Sequence, residues 1–312
     1  MSDFSTPTRP GLVNSAGTAD ALFLKLFGGE TLLAFMESNV VLSRHTVRTI
    51  PHGKSAAFPA LGKGSASYHT PGAEIQGTEV HANERVITID DLLIAPRFIA
   101  NIDEAKVHWD YRSGISRDIG MALARELDQN VLRVHVLAAR ASATVSGGDG
   151  GTVITAATAG TNADAMIAAI FDAAQAFDEK NVPESDRYFY VKPDQYYQLV
   201  NSSSKAINRD YGNEGNGSVA GGFIARVAGM EIVKTNNLPQ TNLTTGPTQY
   251  RGNFTTTVGI AAQKAAVGTV KLLDLAMEME YSARHQGTLL VGKYALGSDI
   301  LRPECAVEVK TS

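Results

Sequence analysis

From Asp110 to Ala141 the stretch DYRSGISRDIGMALARELDQNVLRVHVLAARA places Ile115, Ile119 and Ala122, then Leu123, Leu127, Val131 and Val134, at steps of three and four residues. That period marks one face of an α-helix. At about 1.5 Å per residue such a helix spans on the order of 40 Å, which predicts a strut along which other elements are laid.

The segments on either side lack a core of their own. The first fifty residues open polar, with Pro and Gly, and then carry two apolar runs, ALFLKLF and TLLAFMESNVVL, broken by Gly28-Gly29. Leu32, Phe35 and Met36 share a helical face that must be buried on the body of the chain or on a neighbour, so this segment reads as an arm. From Thr46 to about Asn101 the pattern is extended: HTVRTI and KSAAFPALG lead out, ERVITIDDLLIAPRFIAN returns, and GKGSASYHTPGAEIQGTEVHAN lies between. A two-stranded ribbon of this length is marginal alone and is expected to lie against another surface.

After the strut, SGGDGG (Ser146 to Gly151) reads as a flexible joint. TNADAMIAAIFDAAQAFDEKNVP then predicts a helix with a capping pair at Thr161 and Asp164, an apolar face through Met166, Ile170, Ala173 and Phe177, and Pro183 past its end. RYFYVKP predicts a strand, and Pro193-Asp194 opens the helix DQYYQLVNS. In GGFIARVAGMEIVKTNNLP, Phe223, Ala225 and Val227 share a strand face, Met230 and Ile232 continue the apolar run, and Gly229 supplies the positive φ of a hairpin turn. The order α, β, α, β, β is that of a small α/β domain. Finally LAMEMEYS and ECAVEV alternate, which predicts half-buried strands with Glu278, Glu280, Glu304 and Glu308 on the wet face.

Little in the chain points to chemistry. Gly53-Lys54-Ser55 ends like a phosphate-binding loop, but the position five before Gly53 is Arg48 and no strand-to-helix turn surrounds it. The seven histidines never form a close pair on one helix face. The acid pairs Asp90-Asp91, Asp103-Glu104 and Glu278/Glu280 read as solvated faces, and neither a nucleophile elbow nor a dinucleotide fingerprint occurs. The expectation is a chain with no enzymatic activity, cofactor or metal. A net charge of -4 argues against gripping nucleic acid by its phosphates. The single cysteine, Cys305, excludes an intramolecular disulfide and reads as a small buried side chain. The N-terminus has no basic start followed by an apolar block, and no uncharged apolar run of about eighteen residues occurs, so neither export nor a membrane span is predicted.

An arm, a long ribbon, a strut helix, a compact α/β domain ending its hairpin in NNLP and a strand return form an unusual inventory. It resembles the major capsid protein of tailed phages over nearly the whole chain. The stretches FGGETLLAFMESNVVLSRHTVRTI, GKSAAFPALGKGSASYHTPG, ERVITIDDLLIAPRFIANIDEA and GFIARVAGMEIVKTNNLP are similar to the T-seven-like short-tailed branch. The resemblance implies the α+β tailed-phage capsid fold (Hong-Kong-ninety-seven-type). Its parts would be an N-arm over 1–50, an E-loop over 51–101, a P-domain with the spine helix over 102–150, an A-domain over 151–266 and P-domain return strands over 267–312. It also implies a shell of hexamers and pentamers around double-stranded DNA bound without sequence preference. Such a shell is built on a scaffolding protein around a portal in the host bacterial cytoplasm, without a membrane. Intersubunit contacts are expected from Phe35 in the arm and from Phe58, Leu61, Lys63, Tyr68 and Arg97 in the ribbon, with a hinge at Gly147, Gly148, Gly150 and Gly151. The alternatives are an encapsulin-like compartment of the same fold, which would hold cargo enzymes in place of DNA, and a small-molecule α/β enzyme, which would not form rings or shells.

In one branch of that family an E-loop lysine forms an isopeptide bond with a neighbour's P-domain asparagine, assisted by a glutamate. Lys54 and Lys63 would be the lysine candidates here, but no asparagine occurs from Leu275 to Ser312. The shell is therefore expected to be held by non-covalent contacts alone. Mature particles boiled in detergent should run as one band near 33.2 kDa. A ladder of multimers that survives reducing agent would overturn this.

Overall fold

The computed structural model describes residues 40–312, apart from 65, 67, 73, 76, 78, 107–110, 202–216, 219–222 and 225. The arm residues Leu32, Phe35 and Met36, and Ala225 of the hairpin, lie outside the described residues.

From its N-terminal end the described chain forms β1 (Thr46–Thr49), the ribbon strands β2 (Ser55–Leu61) and β3 (Ala82–Thr88), and β4 (Leu93–Ala100). Helices α1 (Asn101–Lys106) and α2 (Tyr111–Arg140) follow, α2 being the predicted strut. Next come β5 (Thr152–Thr155), α3 (Ala163–Glu179), β6 (Arg187–Val191), α4 (Pro193–Val200) and the short strands β7 (Gly217–Ser218), β8 (Phe223–Ile224) and β9 (Arg226–Val227). The chain ends with β10 (Met230–Lys234), β11 (Asn242–Leu243), β12 (Gly252–Asn253), β13 (Thr257–Gln263), the long strands β14 (Val267–Ser282) and β15 (Gly287–Ile300), and β16 (Ala306–Lys310).

The described residues divide into two compact units. The first comprises Asp90–Leu127 and Leu272–Leu296. In it β4 runs antiparallel to β15, from Gly287 opposite Ala100 to Tyr294 opposite Leu93. Ile115, Ile119 and Leu123, predicted on one helix face, are buried. Gly292 is where β15 meets that face: a Cβ there would lie 2.2 Å from Ile119 Cγ2. The Tyr294 hydroxyl donates to the Leu123 carbonyl at 2.9 Å, so strand and helix are also joined by a buried hydrogen bond. Asp103, expected on a solvated face, is buried in the first turn of α1, where exposed backbone N–H groups favour a carboxylate.

The second unit comprises Val40–Ile89, Asp128–Lys271 and Gly297–Ser312. Its centre is a six-stranded sheet in the order β5-β16-β13-β6-β10-β9. Every residue of β13 is buried, as are Phe177 of α3, Phe189 and Tyr190 of β6, and Val131, Leu132 and Val134 of α2. Burial of one such side chain contributes roughly 1.5–3 kcal/mol, so this apolar layer is the main source of the unit's stability. The ribbon is shorter than expected. Only Ser55–Leu61 and Ala82–Thr88 pair with each other, Ser55 opposite Thr88 and Leu61 opposite Ala82, whereas β1 pairs parallel with β14 and β4 antiparallel with β15. Ala56 and Ile87 of the ribbon pack with Val270 and Leu301.

Further local expectations change. Helix α3 is capped by Asn162 rather than Thr161: the Asn162 backbone is extended and its side chain accepts the Asp164 N–H at 3.0 Å. The Thr161 hydroxyl instead donates to the Thr158 carbonyl. The hairpin turn does fall at Ala228-Gly229, both at positive φ, with Val227 opposite Met230. Its first strand, however, changes partner: β8 pairs with β7 and only β9 pairs with β10, and Ile224 is buried. Glu308 is not on a wet face. It is fully buried in β16 between β5 and β13, where it accepts Arg140 Nε at 2.6 Å, Arg140 Nη2 at 2.7 Å and the Thr257 hydroxyl at 2.6 Å. Ala306 to Val309 are all buried, so alternation along this strand does not produce a solvent face. Glu278 and Glu280 are exposed, but so are Met277, Met279 and Tyr281, so LAMEMEYS has no buried face over 276–281 in the single chain, while Glu304 pairs with Arg302 at 2.8 Å.

Two histidines are held neutral inside this unit. Burial pushes His135 down to about 3 from its ordinary 6.5, against the opposing effect of its contact with the Val131 carbonyl. An unfolded chain takes up that proton below pH 6.5 and the folded one only near 3, so stability falls as pH drops through this window. In urea titrations of the unassembled subunit, His135→Phe should lose less stability than the parent, by up to about 1.4 kcal/mol per pH unit. Parallel curves would refute the neutral buried histidine.

Candidate functional site

No group of three or more His, Cys, Asp or Glu side chains among the described residues is placed to hold a metal, and no described helix is long and apolar enough to cross a membrane. Burial pushes the Cys305 thiol up to about 11, which makes it a poor nucleophile at neutral pH. The features that stand out are surfaces and anchors.

The ribbon carries apolar side chains into solvent. Leu61 is 78% exposed, Ile75 81%, and Tyr68 is fully exposed. Its base, by contrast, is tied to the second unit. Asn83 Nδ2 donates to the Thr144 carbonyl at 2.8 Å and Lys63 Nζ contacts Asp149 Oδ2 at 2.6 Å, while within the ribbon the Gly62 N–H donates to the His81 carbonyl at 2.8 Å. Phe58 is half-buried beside the Ala56, Ile87, Val270 and Leu301 cluster, under the Arg48 guanidinium at 5.6 Å. A cleft of about 570 Å³ opens beside the base, lined by Phe58, Lys63, Arg85, Lys180 and Arg302 among others. Of the residues expected to make contacts, Leu61 and Tyr68 are thus free-standing, whereas Phe58 and Lys63 have partners in their own chain. Arg97 belongs to the first unit, where Nη2 and Nε reach Asp118 Oδ2 at 3.0 and 3.2 Å. Phe35 lies outside the described residues.

The glycine joint is built of unlike glycines. Gly147 has φ +76° with no atom near the position of a Cβ. Gly148 donates to the Val145 carbonyl at 3.0 Å. At Gly150 a Cβ would meet the Ala141 carbonyl oxygen at 3.0 Å. Gly151 is seated on the end of α2: its N–H donates to the Ala141 carbonyl at 2.9 Å, and a Cβ would lie 2.3 Å from the Ala138 and Ala139 oxygens.

The root of the arm is a third feature, one that sequence reasoning missed. Asp128, buried on α2, accepts the Val40 N–H on Oδ2 at 2.9 Å and the Val41 N–H on Oδ1 at 3.4 Å. Asn237, in the NNLP tail, is buried and donates Nδ2 to Asp128 Oδ2 at 3.4 Å, while its own N–H donates to the Thr235 hydroxyl. Arg44 donates to the Val40 carbonyl at 2.7 Å and to Glu231 at 2.8 Å, and lies over the Tyr188 ring. His45 Nδ1 meets the Val41 carbonyl at 2.9 Å. A carbonyl can only accept, so Nδ1 carries the proton and Nε2 accepts from Thr269 Oγ1 at 2.7 Å. Burial lowers the His45 pKa, consistent with this neutral tautomer. The sequence signal was a lone acid, Asp128, on the helix face that Val131, Leu132 and His135 share.

A family model described as "Gp10A-like: Major capsid protein" matches residues 57–310. The chain belongs to that family. It is 35% identical to the major capsid protein of Escherichia phage T7, over 94% of this chain and 93% of the relative. Among solved structures it is similar to the capsid of cyanophage P-SCSP1u, with TM-score 0.82 and 43% identity over 98% of both chains. The mature capsid of bacteriophage PhiM1 aligns with TM-score 0.76 over 99% of this chain and 98% of that one, at 19% identity, a likeness of fold alone. The protein is therefore a phage major capsid protein with the tailed-phage capsid fold, a structural component of the virion shell, and the encapsulin-like alternative is not favoured.

Gly151→Ala would drive a methyl group into backbone oxygens that cannot rotate away, and should lower the unfolding free energy of the unassembled subunit by about 1–3 kcal/mol. An unchanged denaturant midpoint would show that the joint can part from the helix end at no cost.

Proposed function

We propose that the chain closes into an icosahedral shell of hexamers and pentamers around double-stranded DNA, through contacts made by its two extensions. In this reading residues 1–50 are the N-arm, 51–101 the E-loop, 102–150 the P-domain with the spine helix, 151–266 the A-domain and 267–312 the P-domain return. Closed shells need heterologous contacts that repeat around each ring, and extensions that lie over a neighbour supply them. The observation that carries the proposal is the ribbon's exposed apolar tip, Leu61, Tyr68 and Ile75, on a two-stranded element that gains nothing from solvent exposure. Phe35, Phe58, Lys63 and Arg97 complete the proposed contact set, the last three exchanging or extending partners they hold within their own chain.

Precursor shells would form on a scaffolding protein around a portal in the host bacterial cytoplasm and expand as DNA enters. The net charge of -4 supports an inner wall that encloses DNA without holding its phosphates. During expansion Gly147, Gly148, Gly150 and Gly151 would act as the hinge, with Gly147 turning and Gly151 remaining seated on α2.

The test replaces 64–80 by a short Gly/Ser turn, which keeps Lys63 and Asn83 and so preserves the ribbon's base. The variant should be folded and monodisperse but yield no shells by electron microscopy when co-expressed with a candidate scaffold. Normal shells would refute the proposal.

A further inference from the structure

The Val40–His45 segment is held from several sides at once. Asp128 on α2 takes two consecutive backbone N–H groups, Arg44 takes the Val40 carbonyl and reaches Glu231 on β10, and His45 binds Thr269 on β14. Each anchor lies on a different element of the second unit. One hydrogen bond fixes a position, but two consecutive N–H groups on the two oxygens of one carboxylate also fix the direction in which the chain travels. Val40 is the extreme case, since both its N–H and its carbonyl are taken by side chains. Val41 is fully buried beneath them.

A carboxylate buried on a helix is costly unless its partners compensate it, and an apolar residue of similar size would serve packing alone as well or better. What an apolar residue cannot do is orient two peptide groups. We infer that Asp128 is a positioning residue for assembly: it sets the angle at which the N-terminal arm leaves the body, and thereby which neighbouring surface the arm meets. Any segment reaching about 30 Å from this root moves by about 5 Å for each turn of about 10° made there, enough to miss a packed contact. Asn237 donates to the same Asp128 oxygen that accepts the Val40 N–H, which assigns the polar NNLP tail a task in the same anchor. The inference rests on the reading that the arm makes intersubunit contacts.

The test uses the full-length chain. Asp128→Asn keeps the shape but turns one acceptor into a donor that faces an N–H. Trypsin cleavage after Arg44 in the unassembled subunit should accelerate at least about tenfold, the loss expected for hydrogen bonds to a charged group. Cleavage after Arg187, buried in β6, should not change, which separates a loosened root from a loosened body. Shells should be lost or irregular in size. Should cleavage after Arg187 also rise, Val40→Pro, which deletes one donor and leaves the anchoring side chains intact, carries the same measurements. An unchanged rate after Arg44, or shells of normal yield and size despite a faster rate, overturns the inference. Phe35→Glu, on the arm itself, separates the two levels. If it blocks assembly while Asp128→Asn does not, the arm reading stands and the anchor falls. If Phe35→Glu assembles normally, both fall.

Discussion

The carboxylate of Glu308, buried in the middle of a sheet and held by Arg140 and Thr257, is the interaction on which the rest of the second unit depends. It fastens the last residue of α2 to the central strands. Removing Arg140 would leave Glu308 an uncompensated buried charge at a cost of about 3–5 kcal/mol, far more than one exposed ion pair is worth. Everything that follows the helix is placed by that attachment. Gly151, the last residue of the joint, seats back on Ala138 and Ala139, and the ribbon binds Thr144 just before the joint and Asp149 within it. The arm root is fastened to the other end of the same helical stretch, at Asp128. The Val40–His45 segment and the ribbon are therefore both fastened to one helical segment and the chain that follows it.

Periodicity made much of this visible in advance. The three- and four-residue steps of α2 and α3 and the turn at Ala228-Gly229 follow from local rules that the finished fold does not override, whereas the ribbon expected over Thr46 to Asn101 keeps only its inner strands, β1 and β4 being taken by β14 and β15. Where reading failed, it failed for a shared reason. Alternation separates a wet face from a dry one in neither strand: Met277, Met279 and Tyr281 are exposed like Glu278 and Glu280, and the strand of Glu308 is enclosed by neighbours contributed from far along the chain. A single acid in an apolar helix face is ambiguous for the same cause, since the donors that satisfy Asp128 lie at Val40, Val41 and Asn237.

The proposed contact residues divide along that line as well. The exposure of Tyr68 is legible in sequence because it lies in a polar, glycine-rich stretch, and Leu61 is exposed at the end of β2 just before it. The intrachain partners of Lys63 and Arg97, Asp149 and Asp118, were invisible because charged pairs distant in sequence have no local signature. Side chains that already hold a partner are suited to exchange, in which one ion pair is traded for another at little net change, whereas exposed apolar groups are suited to one-way burial. The ribbon combines both kinds along its length.

Cys305 is the one sulfhydryl in the chain, and it is both shielded from solvent and hard to ionise. Multiplied over every subunit, this yields a container without an oxidisable thiol on its surface. Disulfide welding between subunits therefore has no exposed thiol to start from, and among the described residues the side chains left open to oxidation are the exposed Met277 and Met279.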